Sequence, residues 1–154
     1  MNSIASKSNL ILDNEAWRIA YHEIVEQYQS GQLPTAFDKA LRATEKFPFS
    51  PDLWKLLGSI SQDFNRGEVT IAAYKQAVEL SDDDPENHSN LAIALHGQGR
   101  MAEAILSLRR VTELDSSDAD AHYNLGVLLR ESGQIKEAIE SYRKALNLNP
   151  EVAE

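Results

Sequence analysis

The chain has 154 residues and a mass of 17.2 kDa, which fits one domain or one short array of repeats. Its 24 acidic and 15 basic residues give a formal net charge of −9, which argues against a nucleic-acid or anionic-membrane partner. The chain contains no cysteine, which excludes disulfides, cysteine-ligated zinc, iron–sulfur clusters and thiol catalysis.

Several residue types recur along the sequence at a fixed distance. Gly31, Gly99 and Gly133 are separated by 68 and 34 residues, and Pro51 lies 34 residues before Pro85. A fixed period of this length is typical of proteins built from tandem repeats. The period divides the chain into a flank at 1–16, four units at 17–50, 51–84, 85–118 and 119–152, and the start of a truncated or absent fifth unit at 153–154.

Each unit is predicted to contain two helices. In the last unit, Leu125 and Leu129 have helical spacing, and a second helical pattern runs from Ile135 to Leu146. Gly133 stands between these patterns, at a helix end where a residue with left-handed backbone is needed. The pattern therefore indicates a helix, a tight turn and a second helix in each unit.

The unit boundaries carry further helix signals. Ser50 and Asp84 each precede a proline, so each is predicted to cap the helix that follows. The second unit has Asn65 in place of the turn glycine, and asparagine is the next best residue for a positive φ. At the N-terminus, the apolar residues 10–12 are expected to pack on the first helix as a partial cap.

The repeated motifs resemble those of the tetratricopeptide repeat (TPR) family. The resemblance is carried by Trp54-Lys55-Leu56-Leu57-Gly58 and Tyr123-Asn124-Leu125-Gly126, the latter followed by Ala138, Tyr142, Ala145 and Pro150. It implies an all-α fold, a right-handed α-solenoid of four tandem helix-turn-helix units whose first helices line a concave face.

The small residues of the motif suggest how the helices of a unit pack. Gly58, Ala92 and Gly126 are expected to let the first helix approach the second closely, against Ala104 and Ala138. Larger side chains should fill the space between layers, among them Trp54, Tyr74 and Tyr142. The first unit departs from the motif, with Glu23 and Ile24 in place of Leu-Gly.

The resemblance also implies a partner-binding groove, because the family binds partners on its first helices. Aromatic side chains would supply affinity there, and amide and cationic side chains would orient the partner. The positions concerned select the following candidate residues: Arg18, Tyr21, Tyr28, Lys55, Ser59, Asn90, Ile93, Tyr123, Asn124, Val127 and Arg130.

Two binding modes known in the family can be compared with this groove. A carboxylate clamp is disfavoured, because Asp120 and Asn124 stand where the clamp has cations. An asparagine ladder, which holds a peptide backbone through side-chain amides, would have two rungs at Asn90 and Asn124. The alternative is that asparagine before Leu-Gly is a common family residue with no particular ligand.

No catalytic, metal or cofactor site is expected. His88 and His122 occupy the same repeat position and are predicted to fill the slot where the family often has tryptophan. Zinc needs three or four convergent ligands, and the sequence offers no such spacing. The serines lie within helices without a nucleophile-elbow frame, and no glycine-rich phosphate loop occurs.

The sequence therefore predicts a non-catalytic protein–protein interaction scaffold that binds a peptide segment or partner protein in its groove. The first alternative is a substrate-recruiting arm of a larger enzyme such as a bacterial glycosyltransferase, suggested by the phrase Phe47-Pro48-Phe49-Ser50. The second is a self-assembling scaffold, because Ile139 and Leu146 on the last helix are expected to stay exposed. We expect a cytoplasmic location, because residues 1–15 lack a signal-peptide pattern and no apolar run approaches the roughly 18 residues of a transmembrane helix.

Overall fold

A computed structural model describes the backbone of residues 3–150 and the side chains of residues 16–150. Within that range the secondary structure is helical, with eight α-helices and no strand. The helices are α1 (Ser3–Gln29), α2 (Leu33–Lys46), α3 (Pro51–Asp63), α4 (Gly67–Leu80), α5 (Pro85–Gly97), α6 (Met101–Leu114), α7 (Ala119–Glu131) and α8 (Ile135–Leu148). They form two compact units, one that ends at Leu80 and holds α1–α4, and one that begins at Ser81 and holds α5–α8. From here on these two are called the first and the second unit, and the predicted 34-residue units are called repeats.

Three helices begin at a capping side chain, and two of these caps, Ser50 and Asp84, were predicted. The side chains of Ser50, Asp84 and Asp118 each accept a hydrogen bond from a backbone N–H in the first turn of α3, α5 and α7, respectively. Pro51 and Pro85 occupy the first helical positions of α3 and α5, where a missing N–H costs nothing. The capping signals in the sequence are therefore confirmed.

The turns within each helix pair are confirmed as well. Gly31, Gly99 and Gly133 have φ values of 78°, 72° and 82°, and Asn65 has a φ of 55° at the equivalent turn between α3 and α4. Asparagine tolerates this left-handed conformation because its short polar side chain hydrogen-bonds locally. Each of these residues ends the first helix of a pair and reverses the chain.

The first unit packs its helices in sequence order around a core of aliphatic side chains. α1 packs on α2, α2 on α3 and α3 on α4. The fully buried residues of the core are the following: Ile24, Ala36, Ala40, Leu53, Leu57, Ile60 and Ala73. Aromatic side chains, including Phe37, Phe47 and Trp54, surround this core and are partly buried.

The second unit repeats this arrangement. α5 packs on α6, α6 on α7 and α7 on α8. Its core consists mainly of leucine and alanine, with the following buried residues: Leu91, Leu95, Ala104, Ile105, Leu108, Val111, Leu125, Leu128, Leu129, Ala138 and Ala145. Burying each large aliphatic side chain stabilises the fold by roughly 1.5–3 kcal/mol before entropy is counted.

The glycines of α3 and α7 lie in close contact with the second helix of their pair, and the contact is made by a tyrosine ring. Gly126 lies under the ring of Tyr142, whose carbons would be 2.7 Å from a Cβ at that position. Gly58 makes the same contact with the ring of Tyr74. The two large rings thus occupy the space that the glycines leave.

The N-terminal helix begins before the predicted first repeat. α1 is continuous from Ser3 to Gln29, so the predicted repeat start at residue 17 falls inside a helix. No proline or glycine lies between Ser3 and Trp17 to interrupt that helix. The predicted cap at residues 10–12 lies outside the described side chains, and residues 153–154 lie outside the described backbone. The division into four repeats of 34 residues stays a prediction.

Candidate functional site

The predicted partner-binding residues all lie on the first helix of a pair, and none of them is fully buried. Their positions on the helices are as follows: Arg18, Tyr21 and Tyr28 on α1, Lys55 and Ser59 on α3, Asn90 and Ile93 on α5, and Tyr123, Asn124, Val127 and Arg130 on α7. The structure brings some of these side chains together in each compact unit and leaves others apart.

In the second unit, a groove of about 450 Å³ runs between α5 and α7. Each helix lines it with residues spaced by four and three positions, which form one stripe on a helix surface. The stripe on α5 consists of Ser89, Ile93 and His96, and the stripe on α7 consists of Asp120, Asn124 and Val127. Three predicted residues, Ile93, Asn124 and Val127, therefore share one groove.

The floor and walls of this groove differ in chemistry. Ala92, Leu108 and Leu128 form an apolar floor, and Ile93 rises from it with 58% of its surface exposed. Ser89, Asp120 and Asn124 supply polar side chains at the walls. Concave sites that combine an apolar base with a few polar groups are the usual form of binding sites in proteins.

Charge is unevenly distributed around the groove. Asp118 and Asp120 line it at the N-terminal end of α7, and no lysine or arginine is among its described lining residues. His96 lines the opposite end, where its Nε2 lies 3.0 Å from the Glu131 carboxylate. The groove is therefore acidic at one end and closed by a His–Glu pair at the other.

The first unit has a smaller cleft of about 370 Å³ at the N-terminal end of α3. Its lining consists of Trp17, Arg18, Tyr21, His22 and Asp52. The guanidinium carbon of Arg18 lies 5.5 Å from the centre of the Trp17 ring, and the rings of Trp17 and Tyr21 meet edge to face. The predicted residues Arg18 and Tyr21 are thus together, in a cleft that is aromatic and cationic.

Tyr28 does not leave its hydroxyl available to a partner. The hydroxyl donates a hydrogen bond to the Asp63 carboxylate, which joins the last turns of α1 and α3. This hydrogen bond, together with partial burial and the negative charge of Asp63, raises the pKa of Tyr28 to about 12. The two side chains thus bridge α1 and α3 at the opposite end of α3 from the cleft.

Two more predicted residues make contacts within the chain. Ser59 donates a hydrogen bond to the Lys55 carbonyl over 3.2 Å, and its Oγ lies 3.3 Å from the Tyr74 hydroxyl. The Lys55 ammonium lies 3.6 Å from the Asp52 carboxylate. Both side chains thus have roles in their own unit, which the sequence pattern alone did not indicate.

The last three predicted residues lie outside the groove of the second unit. Asn90 follows Ser89 directly and therefore lies about 100° around α5 from the groove-lining stripe. Tyr123 packs with its ring centre 5.6 Å from that of Tyr142, and Arg130 is exposed in the last turn of α7. The two predicted asparagine rungs thus do not share this groove.

The histidine pair has a structural role that the sequence only partly predicted. The Nε2 atoms of His88 and His122 lie 3.0 Å and 3.2 Å from backbone carbonyls in the preceding turns, and the Trp54 Nε1 donates to such a carbonyl over 2.8 Å. The acceptors are Pro48, Asp82 and Ser116, each six residues earlier. Histidine thus substitutes for tryptophan as a ring donor, and the 34-residue spacing of the acceptors was the available signal.

The described side chains contain no group of three or more histidines and carboxylates placed to hold a metal ion. Among the described residues, no helix combines the length and the apolar character that crossing a bilayer requires.

The sequence matches the profile of the tetratricopeptide repeat over residues 119–152. A second profile, described as a TPR repeat, matches residues 94–131. Residues 94–152 therefore carry tetratricopeptide repeats. The all-α repeat fold of the chain is likewise confirmed by the helix pairs described above.

Solved structures of tetratricopeptide-repeat proteins resemble this one. YrrB, described as "a TPR protein with an unusual peptide-binding site", is 27% identical, with a TM-score of 0.77 over 92% of this chain and 73% of that one. A crystal structure of MamA is 25% identical, with a TM-score of 0.75 over 81% of this chain and 73% of that one. A second MamA structure has a TM-score of 0.81 at 24% identity, over 89% of this chain and 75% of that one. No protein with a curated description matches the sequence.

The tetratricopeptide-repeat fold is in general a non-catalytic interaction scaffold, and members of the family bind proteins or peptides. This establishes the broad class of the molecule. Which surface of this chain is used has to be argued from its own side chains.

Proposed function

We propose that this protein is a non-catalytic scaffold that binds an extended segment of a partner protein in the groove between α5 and α7. The observation that carries the proposal is the state of the polar side chains there. Ser89, Asp120 and Asn124 have no hydrogen-bond or ion-pair partner within the described part of the chain, although they surround an apolar floor. The peptide-binding site named for YrrB, a similar structure, supports the same kind of function.

The groove suits an extended peptide for two physical reasons. A side-chain amide both donates and accepts, so Asn124 can bond to an N–H and a C=O of one peptide backbone. The exposed Ile93 and the partly buried Val127 offer apolar surface, which contributes about 25 cal/mol for each Å² removed from water. Orientation would thus come from the amide and affinity from the apolar contacts.

This proposal narrows the site that the sequence suggested. Ile93, Asn124 and Val127 belong to it, whereas Asn90 lies on a different face of α5. Arg18 and Tyr21 line the separate cleft of the first unit, and we assign no ligand to that cleft.

The test is selection of binding peptides from a random heptapeptide library displayed on phage, with the full chain as the target. For selected peptides, Asn124→Ala should weaken binding at least about fivefold, because each lost hydrogen bond is worth about 1 kcal/mol. Asn90→Ala is the matched control on the neighbouring helix and should leave the affinity within about twofold. Circular dichroism would show that both variants stay folded.

Equal effects of the two asparagine substitutions would contradict the assignment of the groove. The same conclusion would follow if the selection yielded no peptide whose binding depends on Asn124 or Ile93.

A second function, self-association, is favoured by the outer face of α8. Ile139 is 44% exposed there, whereas the residues at the same repeat position, Ile71 and Ile105, are 3% and 5% exposed. Ile135 and Leu146 are exposed on the same helix. We propose that this face can dock a helix of a second copy, and light scattering over a concentration series tests the idea. A mass that grows with concentration in the wild type but not in Ile139→Glu would support it, and a constant monomer mass would refute it.

A further inference from the structure

We infer that the partner segment carries a lysine or arginine two residues away from an apolar side chain. This inference rests on the proposed function, because it names the chemistry of the segment that the α5–α7 groove would bind. It is argued from the charge at one end of the groove and from the distances along it.

The first step is the state of the Asp120 carboxylate. Asp52 occupies the same position in the second repeat, and its carboxylate lies 3.6 Å from the Lys55 ammonium three residues later. Asp120 has Tyr123 at that place, so the intrahelical cation is absent. Asp120 has no other partner within the described residues. The carboxylate is therefore available to a cation from outside.

The second step is the surrounding charge. Asp118 is close by in the groove lining, where its carboxylate also caps α7 through the Ala121 N–H over 2.9 Å. The nearest lysine or arginine along α7 is Arg130, ten residues and about 15 Å away along the helix, and His122 is buried with its Nε2 3.2 Å from the Ser116 carbonyl. His96 is at the far end and pairs with Glu131. A cationic side chain entering beside Asp120 thus meets two carboxylates and no competing cation of the groove.

The third step is spacing along the groove. Asp120 and Asn124 are four residues apart on α7, which corresponds to a rise of about 6 Å. In an extended peptide, side chains on one face are two residues apart, or about 6.6 Å. A cation beside Asp120 therefore places the side chain two residues away level with Asn124, over Ile93 and the apolar floor.

The same features disfavour other segments. An acidic side chain or a terminal carboxylate at this end would lie against Asp118 and Asp120 and would be repelled. An uncharged segment would leave the Asp120 carboxylate partly desolvated without compensation. The groove therefore selects a basic residue by attraction and rejects acidic ones by repulsion.

The test uses the random heptapeptide library selected against the full chain. We expect the selected peptides to be enriched in a basic residue and, two positions away, a leucine, isoleucine, valine or phenylalanine. For these peptides, Asp120→Asn should weaken binding at least about fivefold, and replacing the basic residue by glutamine should have the same effect. Asp83→Asn removes the same charge from an exposed turn outside the groove and should leave the affinity unchanged.

The outcomes separate this inference from the function on which it rests. Peptides whose binding depends on Asn124 but which lack a basic residue, or which ignore Asp120→Asn, would overturn the inference and leave the proposed function intact. A selection without any Asn124-dependent peptide would overturn both. Equal losses in Asp120→Asn and Asp83→Asn would show that only net charge matters, which also overturns the inference.

Discussion

The ring of Tyr142 lies directly on Gly126, so close that a Cβ on the glycine would be 2.7 Å from two ring carbons. Real Cβ atoms do not approach other atoms this closely, so the glycine is required by the ring. The sizes of the residues at these two repeat positions complement each other along the chain. In sequence order the pairs are Ile24 with Ala40, Gly58 with Tyr74, Ala92 with Leu108, and Gly126 with Tyr142. The unusual Ile24 of the first repeat is thus matched by a small residue on the second helix.

Gly126→Ala is therefore expected to destabilise the protein. Overpacking of a core costs typically about 1–3 kcal/mol, which exceeds the roughly 1 kcal/mol that alanine gains over glycine in a helix. Chemical denaturation should show a lower free energy of unfolding by about 1–2 kcal/mol. The double variant Gly126→Ala, Tyr142→Leu reproduces the Ala92–Leu108 pair and should recover part of the loss relative to the Gly126→Ala single variant. Additive effects of the two substitutions would contradict the proposed complementarity.

The hydroxyl of Tyr142 gives a second prediction. It is buried and has no hydrogen-bond partner within the described residues, whereas the Tyr74 hydroxyl lies 3.3 Å from Ser59 Oγ. The difference follows from the sequence, because Val127 stands at the repeat position of Ser59. A buried polar group without a partner costs roughly 1–3 kcal/mol. Tyr142→Phe should therefore raise the free energy of unfolding by about 1 kcal/mol, and the matched Tyr74→Phe should lower it. Thermal or chemical denaturation measures both, and a loss of stability in Tyr142→Phe would refute the argument.

Features that depend on neighbouring residues could be predicted from the sequence. Ser50 and Asp84 cap their helices because an N-cap needs only a side-chain oxygen and the first turn. Asn65 adopts its left-handed backbone because the turn geometry is set within a few residues. The helix-turn-helix organisation of each repeat can therefore be predicted from the sequence alone.

The candidate site was predictable only in part, because it depends on how helices rotate against each other. Asn90 and Asn124 occupy the same repeat position on α5 and α7, but the groove runs along only one side of each helix. Ser89 lines it on α5, whereas Asn90, about 100° further around that helix, does not. Only Asn124 of the two asparagines therefore lines the groove. The hydrogen bond from Tyr28 to Asp63 joins residues 35 positions apart. A repeat pattern fixes which positions share a face, but the identity of the side chain decides whether it bonds inward or stays available.

The Tyr28–Asp63 pair predicts a titration. Its raised pKa, about 12 against an ordinary 10.0, means that the folded state favours the protonated phenol. The contribution of the protonated Tyr28 to the free energy of unfolding is therefore complete below about pH 10 and is lost as the pH rises towards about 12. Tyrosinate absorbance, with Tyr28→Phe used to subtract the other tyrosines, should show Tyr28 titrating near pH 12. Asp63→Asn removes the charge and should lower the pKa of Tyr28, and an unchanged titration in that variant would contradict the assigned cause.

The turn at Asn65 predicts opposite effects of two small substitutions. Its φ of 55° strains a residue with a Cβ, and asparagine is the residue type after glycine that best tolerates this conformation. Asn65→Ala should therefore lower the free energy of unfolding by about 1 kcal/mol, whereas Asn65→Gly should leave it unchanged or raise it.

Gly97→Ala is a matched control in α5, because Gly97 is helical and a Cβ there would meet nothing within 4 Å. That variant should gain roughly 0.5–1 kcal/mol through lost freedom in the unfolded chain. Chemical denaturation of the three variants decides the matter, and a loss in Asn65→Gly equal to that in Asn65→Ala would show that the asparagine side chain, and not the backbone angle, holds the turn.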